Sequence, residues 1–299
     1  MQGERLGLLV AARSAAVLGK PVGHSLSPVL HRAAYRALGL TGWSYTAIEC
    51  DERGLAGLLA GAGEDVVGYS CTMPLKRQVL RVANSVSPEA AAIGAGNTLL
   101  RVPGGWHADN TDWIGIRDAL AAAAVPVAGA AVTVLGAGGT AQAALAALAA
   151  PTAPTAPGSS AGPAQARAGQ VTVLVREPSR AGELLATARR LELPVTLASL
   201  AEPRHWLDAD LIIATLPAGA ADAFAELPFH RGQALLEAVY DPWPTRLATA
   251  LAAAGAPVVS GATMLLHQAA RQVELMTGSA APVEAMRAAL LAAAPGCGA

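Results

Sequence analysis

Short apolar runs recur along this chain, each broken within a few residues by glycine, proline or charge, and many are followed by a stretch with helical spacing. Residues 15–19 predict a strand ending at a glycine. A helix follows from Ser27-Pro28 to about Leu38, with proline at its first helical position. Residues 43–48 predict a strand, 55–60 a helix and 66–70 another short strand. Pro74 predicts the start of a helix that carries Lys76 near its beginning. A short segment around Ile93 and a strand over 98–102 complete an alternating α/β layer.

A helix over 113–124 leads out of this unit. Residues 132–135 then read as a buried strand, Gly136-Ala137-Gly138-Gly139 follows at once, and 140–150 has strong helix propensity. Strand, glycine turn and helix stand in the order a nucleotide site requires. Further strands are predicted at 171–175, 195–197, 211–214 and 235–239, with helices at about 179–191 and 220–226. That succession gives a largely parallel sheet flanked by helices. Residues 151–169, PTAPTAPGSSAGPAQARAG, carry a single charge and cannot bury a core, so a mobile surface loop is expected. The last two helices, 262–276 and 281–294, could close a third unit or return to cover the first. Periodicity leaves both open.

Length and charge narrow the class. At 299 residues the chain can bury a sizeable core, and two domains are expected. With 21 Lys+Arg against 22 Asp+Glu, bulk charge gives no reason to expect a nucleic-acid or membrane partner. The 53% hydrophobic content is swollen by alanine, and no run approaches the roughly 18 apolar residues of a membrane span. Arg5 and Arg13 interrupt the mildly apolar start, so no signal peptide of ordinary design is read there. The 3 cysteines are too scattered for a disulfide framework or metal knuckle, and a cytoplasmic location is expected. The histidines show no metal-ligand spacing.

The chemistry concentrates around one amine and one carboxylate. Lys76 follows Gly68-Tyr69-Ser70-Cys71-Thr72-Met73-Pro74-Leu75, and Asp112 closes Asn110-Thr111-Asp112, in a chain only 14% charged. A lysine opposite an aspartate can hold and move a proton at a hydroxyl or carbonyl. The plainer alternative is a solvated helical Lys76 and an Asp112 that caps its helix. Ser25 and Ser27 place alternate hydroxyls before a helix, where they could face one carboxylate, or Ser27 could simply cap. The glycines at 136, 138 and 139 remove side chains where a pyrophosphate must approach backbone N–H groups. At the end of the next strand, Arg176 with Arg180 nearby favours the additional 2′-phosphate of NADP, whereas Glu177 favours NAD. Both charges could equally sit in a solvated loop.

Taken together, these segments, from about Val17 through Gly278, resemble the shikimate dehydrogenase family. The resemblance implies a two-domain α/β protein. A mixed α/β substrate domain would comprise residues 1–112 and 257–299, and a Rossmann-like cofactor domain residues 113–256. It implies reversible, NADP-dependent reduction of 3-dehydroshikimate to shikimate, in aromatic amino-acid biosynthesis and without a metal. By resemblance, Lys76 and Asp112 are the catalytic pair. Ser25, Ser27 and Tyr240 hold the substrate carboxylate, and Thr72, Asn97 and Gln268 contact the rest of the substrate. Gly136, Gly138 and Gly139 resemble the glycines of the family's cofactor turn, to which the residue reading adds Ala137, Thr140, Arg176 and Arg180 as cofactor-binding candidates. Met264-Leu265 and Gln268 resemble the family's C-terminal helix over the substrate domain. The expected partner is a small hydroxylated cyclic carboxylate, taken by a monomer or homodimer.

Some positions depart from the family pattern. Ser70-Cys71 replace the usual Asn-Val, Glu237 stands where Asp is common, and Val175 and Glu177 flank Arg176 in place of a frequent Asn and Thr. Rival readings are a quinate or quinate/shikimate dehydrogenase using NAD or NADP, and a nucleotide-binding regulatory protein without turnover.

Overall fold

Two six-stranded sheets organise the chain. The computed structural model describes residues 12–149, 167–202 and 204–297. The surface loop expected over 151–169 falls outside the described residues as far as 166. Residues 167–169 lead into the next strand, with the Ala168 amide bonded to the Leu148 carbonyl at 3.2 Å.

The first sheet is mixed. It contains β1 (Arg13–Gly19), β2 (Trp43–Glu49), β3 (Val66–Cys71), β4 (Ser85–Val86), β5 (Thr98–Val102) and β6 (Gly105–Asp109) in the order β2-β1-β3-β5-β6-β4. β1 pairs parallel with β2 and β3, whereas β5 runs antiparallel to β3 and β6. The helices of this part are α1 (Ser27–Ala37), α2 (Leu55–Ala60), α3 (Gln78–Val82) and α4 (Pro88–Ile93), while α5 (Asp112–Ala122) leads out of it and buries Ile116, Ala119 and Leu120 in the core of the second sheet. Pro28 opens α1, and Leu30, Ala33, Ala34 and Tyr35 bury one face of it.

The second sheet is parallel throughout. It contains β7 (Ala131–Leu135), β8 (Gln170–Val175), β9 (Thr196–Ser199), β10 (Leu211–Ala214), β11 (Ala234–Glu237) and β12 (Val258–Ser260). Their order, β12-β11-β10-β7-β8-β9, is the doubly wound order of a Rossmann sheet. All four residues of β10 are buried, as a central strand covered on both faces requires. Around it lie α6 (Gly139–Leu148), α7 (Gly182–Arg190), α8 (Arg204–Leu207) and α9 (Arg246–Ala253).

The chain then returns. α10 (Gly261–Thr277) begins where β12 ends and packs with α1 and α11 (Val283–Ala293) on the core of the first sheet. The final helices therefore cover the first unit and close no third one. α5 and α10 lie against each other. A Cβ at Gly115 would stand 2.7 Å from the Met264 carbonyl and 2.8 Å from Gln268 Cβ, so only glycine admits so close an approach. A second tie joins α4 to the parallel-sheet half. The Ile93 carbonyl accepts from Thr187 Oγ1 at 2.6 Å and Gln142 Nε2 at 3.1 Å, and the Ala92 carbonyl from Arg190 Nε at 2.8 Å.

Three expected elements differ. The helix expected from Pro74 begins only at Gln78, and residues 73–77 form turns. The Leu75 amide closes a turn on the Thr72 carbonyl, and the Lys76 carbonyl accepts from the Gly96 amide at 2.7 Å in place of a helical donor. The helix expected over 220–226 is a single 3-10 turn, Asp222–Phe224, and the strand expected over 235–239 stops at Glu237. No helix among the described residues is long and apolar enough to cross a membrane.

Candidate active site

Lys76 leaves the turn after β3 and reaches across to α5. Its Nζ lies 2.7 Å from Asp112 Oδ2 and donates to Thr140 Oγ1 at 3.1 Å. The lysine side chain is 19% exposed and that of Asp112 only 7%, so neither of the plainer alternatives describes them. Asp112 is the first residue of α5 and caps nothing. Its own amide is held by Asn110 Oδ1 at 2.9 Å, which leaves the carboxylate for other partners.

Asn97, at the entrance to β5, supplies the other partner. Its Nδ2 donates to Asp112 Oδ1 at 2.8 Å, to Thr111 Oγ1 at 3.0 Å and to Gln268 Oε1 at 3.2 Å. Gln268 projects from α10, and its Nε2 bonds back to the Leu265 carbonyl at 3.0 Å. The carboxylate thus accepts an ammonium on one oxygen and an amide on the other, which fixes its plane. Four distant segments, those of Lys76, Asn97, Asp112 and Gln268, converge on one buried cluster.

The serine pair lies at the start of α1. Ser27 is already inside α1 and does not cap it, while Ser25 Oγ accepts the Ser27 amide at 3.3 Å. Tyr240 stands beside them. Burial pushes its phenol up, and the Leu26 backbone amide, between the two serines, offsets part of that rise by a hydrogen bond. Thr72 lies where β3 runs out, with its amide on the Leu18 carbonyl at 2.9 Å.

The glycine turn follows β7. Gly136 has φ of +106°, a conformation closed to most side chains, and its amide bonds the Leu174 carbonyl at 3.0 Å. Gly138 precedes α6, no side chain caps that helix start, and nothing lies within 4 Å of where a Cβ on Gly138 would stand. An open space thus faces uncapped helix amides beside Ala137 and Thr140, a cradle that fits a dinucleotide pyrophosphate. Arg176 and Arg180 are exposed past the end of β8, as is Glu177. Glu237, at the end of β11, is buried and accepts from Thr245 Oγ1, and burial raises its carboxyl.

Residues 17–99 match the family model described as the shikimate dehydrogenase substrate binding domain, and residues 261–291 that of the shikimate 5'-dehydrogenase C-terminal domain. A curated relative from Citrifermentans bemidjiense, shikimate dehydrogenase (NADP(+)), is 36% identical over 290 residues, covering 93% of this chain and 94% of that protein. The chain belongs to the shikimate dehydrogenase family. The crystal structure of Mycobacterium tuberculosis shikimate dehydrogenase superposes with a TM-score of 0.82 at 40% identity, over 94% of this chain and 99% of that one. Shikimate 5-dehydrogenase from Thermus thermophilus, solved with NADP(H) and shikimate, gives 0.77 at 34% identity, over 94% and 99%.

Sequence reasoning missed part of this family member's site. Thr111 joins the Asn97–Gln268 cluster, and Gln272, one helical turn beyond Gln268 on α10, is wholly buried beside it. The spacing of four between Gln268 and Gln272 was the available signal, since it puts both amides on one helix face.

Proposed function

We propose that this chain is an NADP-dependent shikimate dehydrogenase that reversibly reduces 3-dehydroshikimate to shikimate. The observation that carries the reading is the 2.7 Å Lys76–Asp112 pair, which Thr140 joins to the first turn of α6, the helix that follows the glycine cradle. When bound, the nicotinamide supplies the hydride that adds to the ring carbonyl carbon. Lys76 Nζ gives a proton to the carbonyl oxygen as it becomes the hydroxyl, and takes it back in the reverse direction. Asp112 holds the lysine amine and the neighbouring substrate hydroxyl, and Asn97 and Gln268 distinguish hydroxyl positions. Ser25, Ser27 and Tyr240 bind the carboxylate, and Thr72 contacts the rest of the substrate. The Gly136–Thr140 turn would hold the pyrophosphate.

The substrate unit would comprise residues 1–112 and 257–299, and the nucleotide unit 113–256. The choice of NADP over NAD rests on Arg176 and Arg180, whose guanidinium groups suit a 2′-phosphate. Glu177 beside them is the feature that favours NAD.

Steady-state rates for shikimate and quinate, each with NADP+ and NAD+, test the proposal. Shikimate with NADP+ is expected to give the highest kcat/KM. A higher quinate rate would replace the substrate assignment, and ligand binding without turnover in all four combinations would mean a regulatory protein.

A further inference from the structure

Behind the Lys76–Asp112 pair lies a second line of buried polar groups. Tyr45 Oη donates to Ser70 Oγ at 2.6 Å, and Ser70 Oγ donates to Gln272 Oε1 at 2.7 Å. Gln272 Nε2 donates to Thr98 Oγ1 at 2.9 Å and to the Asn97 carbonyl at 3.2 Å. Thr98 Oγ1 in turn donates to Asn97 Oδ1 at 2.8 Å. All five side chains are buried. The line runs through β2, β3, α10 and β5 to the residue that touches Asp112.

The chemistry of its members sets its direction. Burial holds the Tyr45 phenol well above its ordinary value, so it stays protonated and donates. Ser70 Oγ, accepting that hydrogen bond, donates its own to Gln272 Oε1. His31 Nε2 lies 3.4 Å from the same oxygen, and burial keeps the imidazole neutral by lowering it to about 3. Gln272 must then present its nitrogen to Thr98, whose hydroxyl proton is left for Asn97 Oδ1. That oxygen also accepts the Thr111 amide at 2.8 Å. A reversed Asn97 amide would set oxygen against the Asp112 carboxylate and NH2 against the Thr111 N–H.

We propose that Gln272, acting through Thr98, is a positioning residue that holds the Asn97 amide with its nitrogen towards Asp112, and so fixes the carboxylate that holds Lys76. The inference rests on the reading of Lys76 and Asp112 as the reacting pair. Ser70, one of the two residues that depart from the family pattern before Thr72, is thereby given a role as the donor that orients Gln272.

Thr98→Val keeps the side-chain shape and deletes the link, while Thr98→Ser keeps the link. Thr98→Val and Gln272→Leu are expected to lower kcat about tenfold and raise the KM for shikimate, with the KM for NADP+ unchanged. Thr98→Ser should recover most of the rate. In the protein without ligands, hydrogen exchange of the Asn97 side-chain amide, followed by NMR, should be slow in the wild type and in Thr98→Ser and faster in Thr98→Val. Unchanged exchange in Thr98→Val overturns the inference, whatever the rates do. Wild-type kcat and substrate KM in a folded Thr98→Val protein overturn it as well. If Thr98→Val does not fold, Tyr45→Phe removes one hydroxyl from the far end and keeps the ring stacked on His31. It should show the same two changes at smaller amplitude, and the absence of both counts against the inference. A wild-type protein that neither oxidises shikimate nor reduces 3-dehydroshikimate sinks the functional reading instead, and the exchange measurement still tests the hold on Asn97.

Discussion

Lys76 Nζ donates to Thr140 Oγ1 at 3.1 Å, so the amine beside Asp112 is tied directly to the first turn of the helix that follows the glycine cradle. One side chain therefore senses both halves of the molecule. Thr140→Val, which deletes the acceptor and keeps the shape, is expected to lower kcat/KM by about fivefold, the worth of one modest hydrogen bond. Lys76→Ala should cost about 10²–10⁴ in kcat, the range of a lost general acid, and leave nucleotide affinity unchanged. Paired kinetic and nucleotide-titration measurements check both, and unchanged turnover in Lys76→Ala would remove its assigned role.

Arg176 offers a test of nucleotide choice. Arg176→Ala is expected to raise the KM for NADP+ about tenfold, the size of one charged hydrogen bond, with the KM for NAD+ unaltered. Equal rises for both nucleotides would show that Arg176 does not read the 2′-phosphate.

Stability in acid should depend on His31. Burial lowers its imidazole from 6.5 to about 3 in the folded protein, and the ring stacks on Tyr45 with centroids 3.9 Å apart. Because the folded value lies below the unfolded one, this contribution is fully present above pH 6.5 and is lost as the pH falls towards 3. Each pH unit in that window costs the fold up to about 1.4 kcal/mol. His31→Phe keeps an aromatic ring in the stack and has nothing to protonate. Melting curves from pH 7 to pH 4 should show the variant losing less stability than the wild type; parallel losses would assign the acid sensitivity to other groups.

The alternation of strand and helix was legible because buried strands such as Val132-Thr133-Val134-Leu135 and the glycines after them are local signals. The parallel order of the second sheet followed from the same succession. What failed were local signals overridden by contacts from distant segments. Pro74 has every mark of a first helical residue, but the Gly96 amide, brought in by the β3–β5 pairing, occupies the Lys76 carbonyl that a helix would have used. The β6 strand was missed although Trp106 and Ala108 alternate inward within it, the period of a half-buried strand. Lys76, Asp112, Asn97 and Gln268, which the structure brings together, stood out in the sequence because small polar groups cluster around them or because they resemble the family. Gln272 was not, because its meaning lies in Ser70 and Thr98, 202 and 174 residues away in the chain. The spacing of four from Gln268 marks only the shared helix face, not the membership of a polar line.

The chain passes out of the first sheet through α5 and comes back through α10, and Gly115 lets those two helices touch. Any rocking of the nucleotide half would turn about that close contact, where a swing displaces atoms least. Asp112 and Gln268 ride on it, so their spacing would survive a rocking of the nucleotide half. Groups far from that contact would be displaced most by the same rocking.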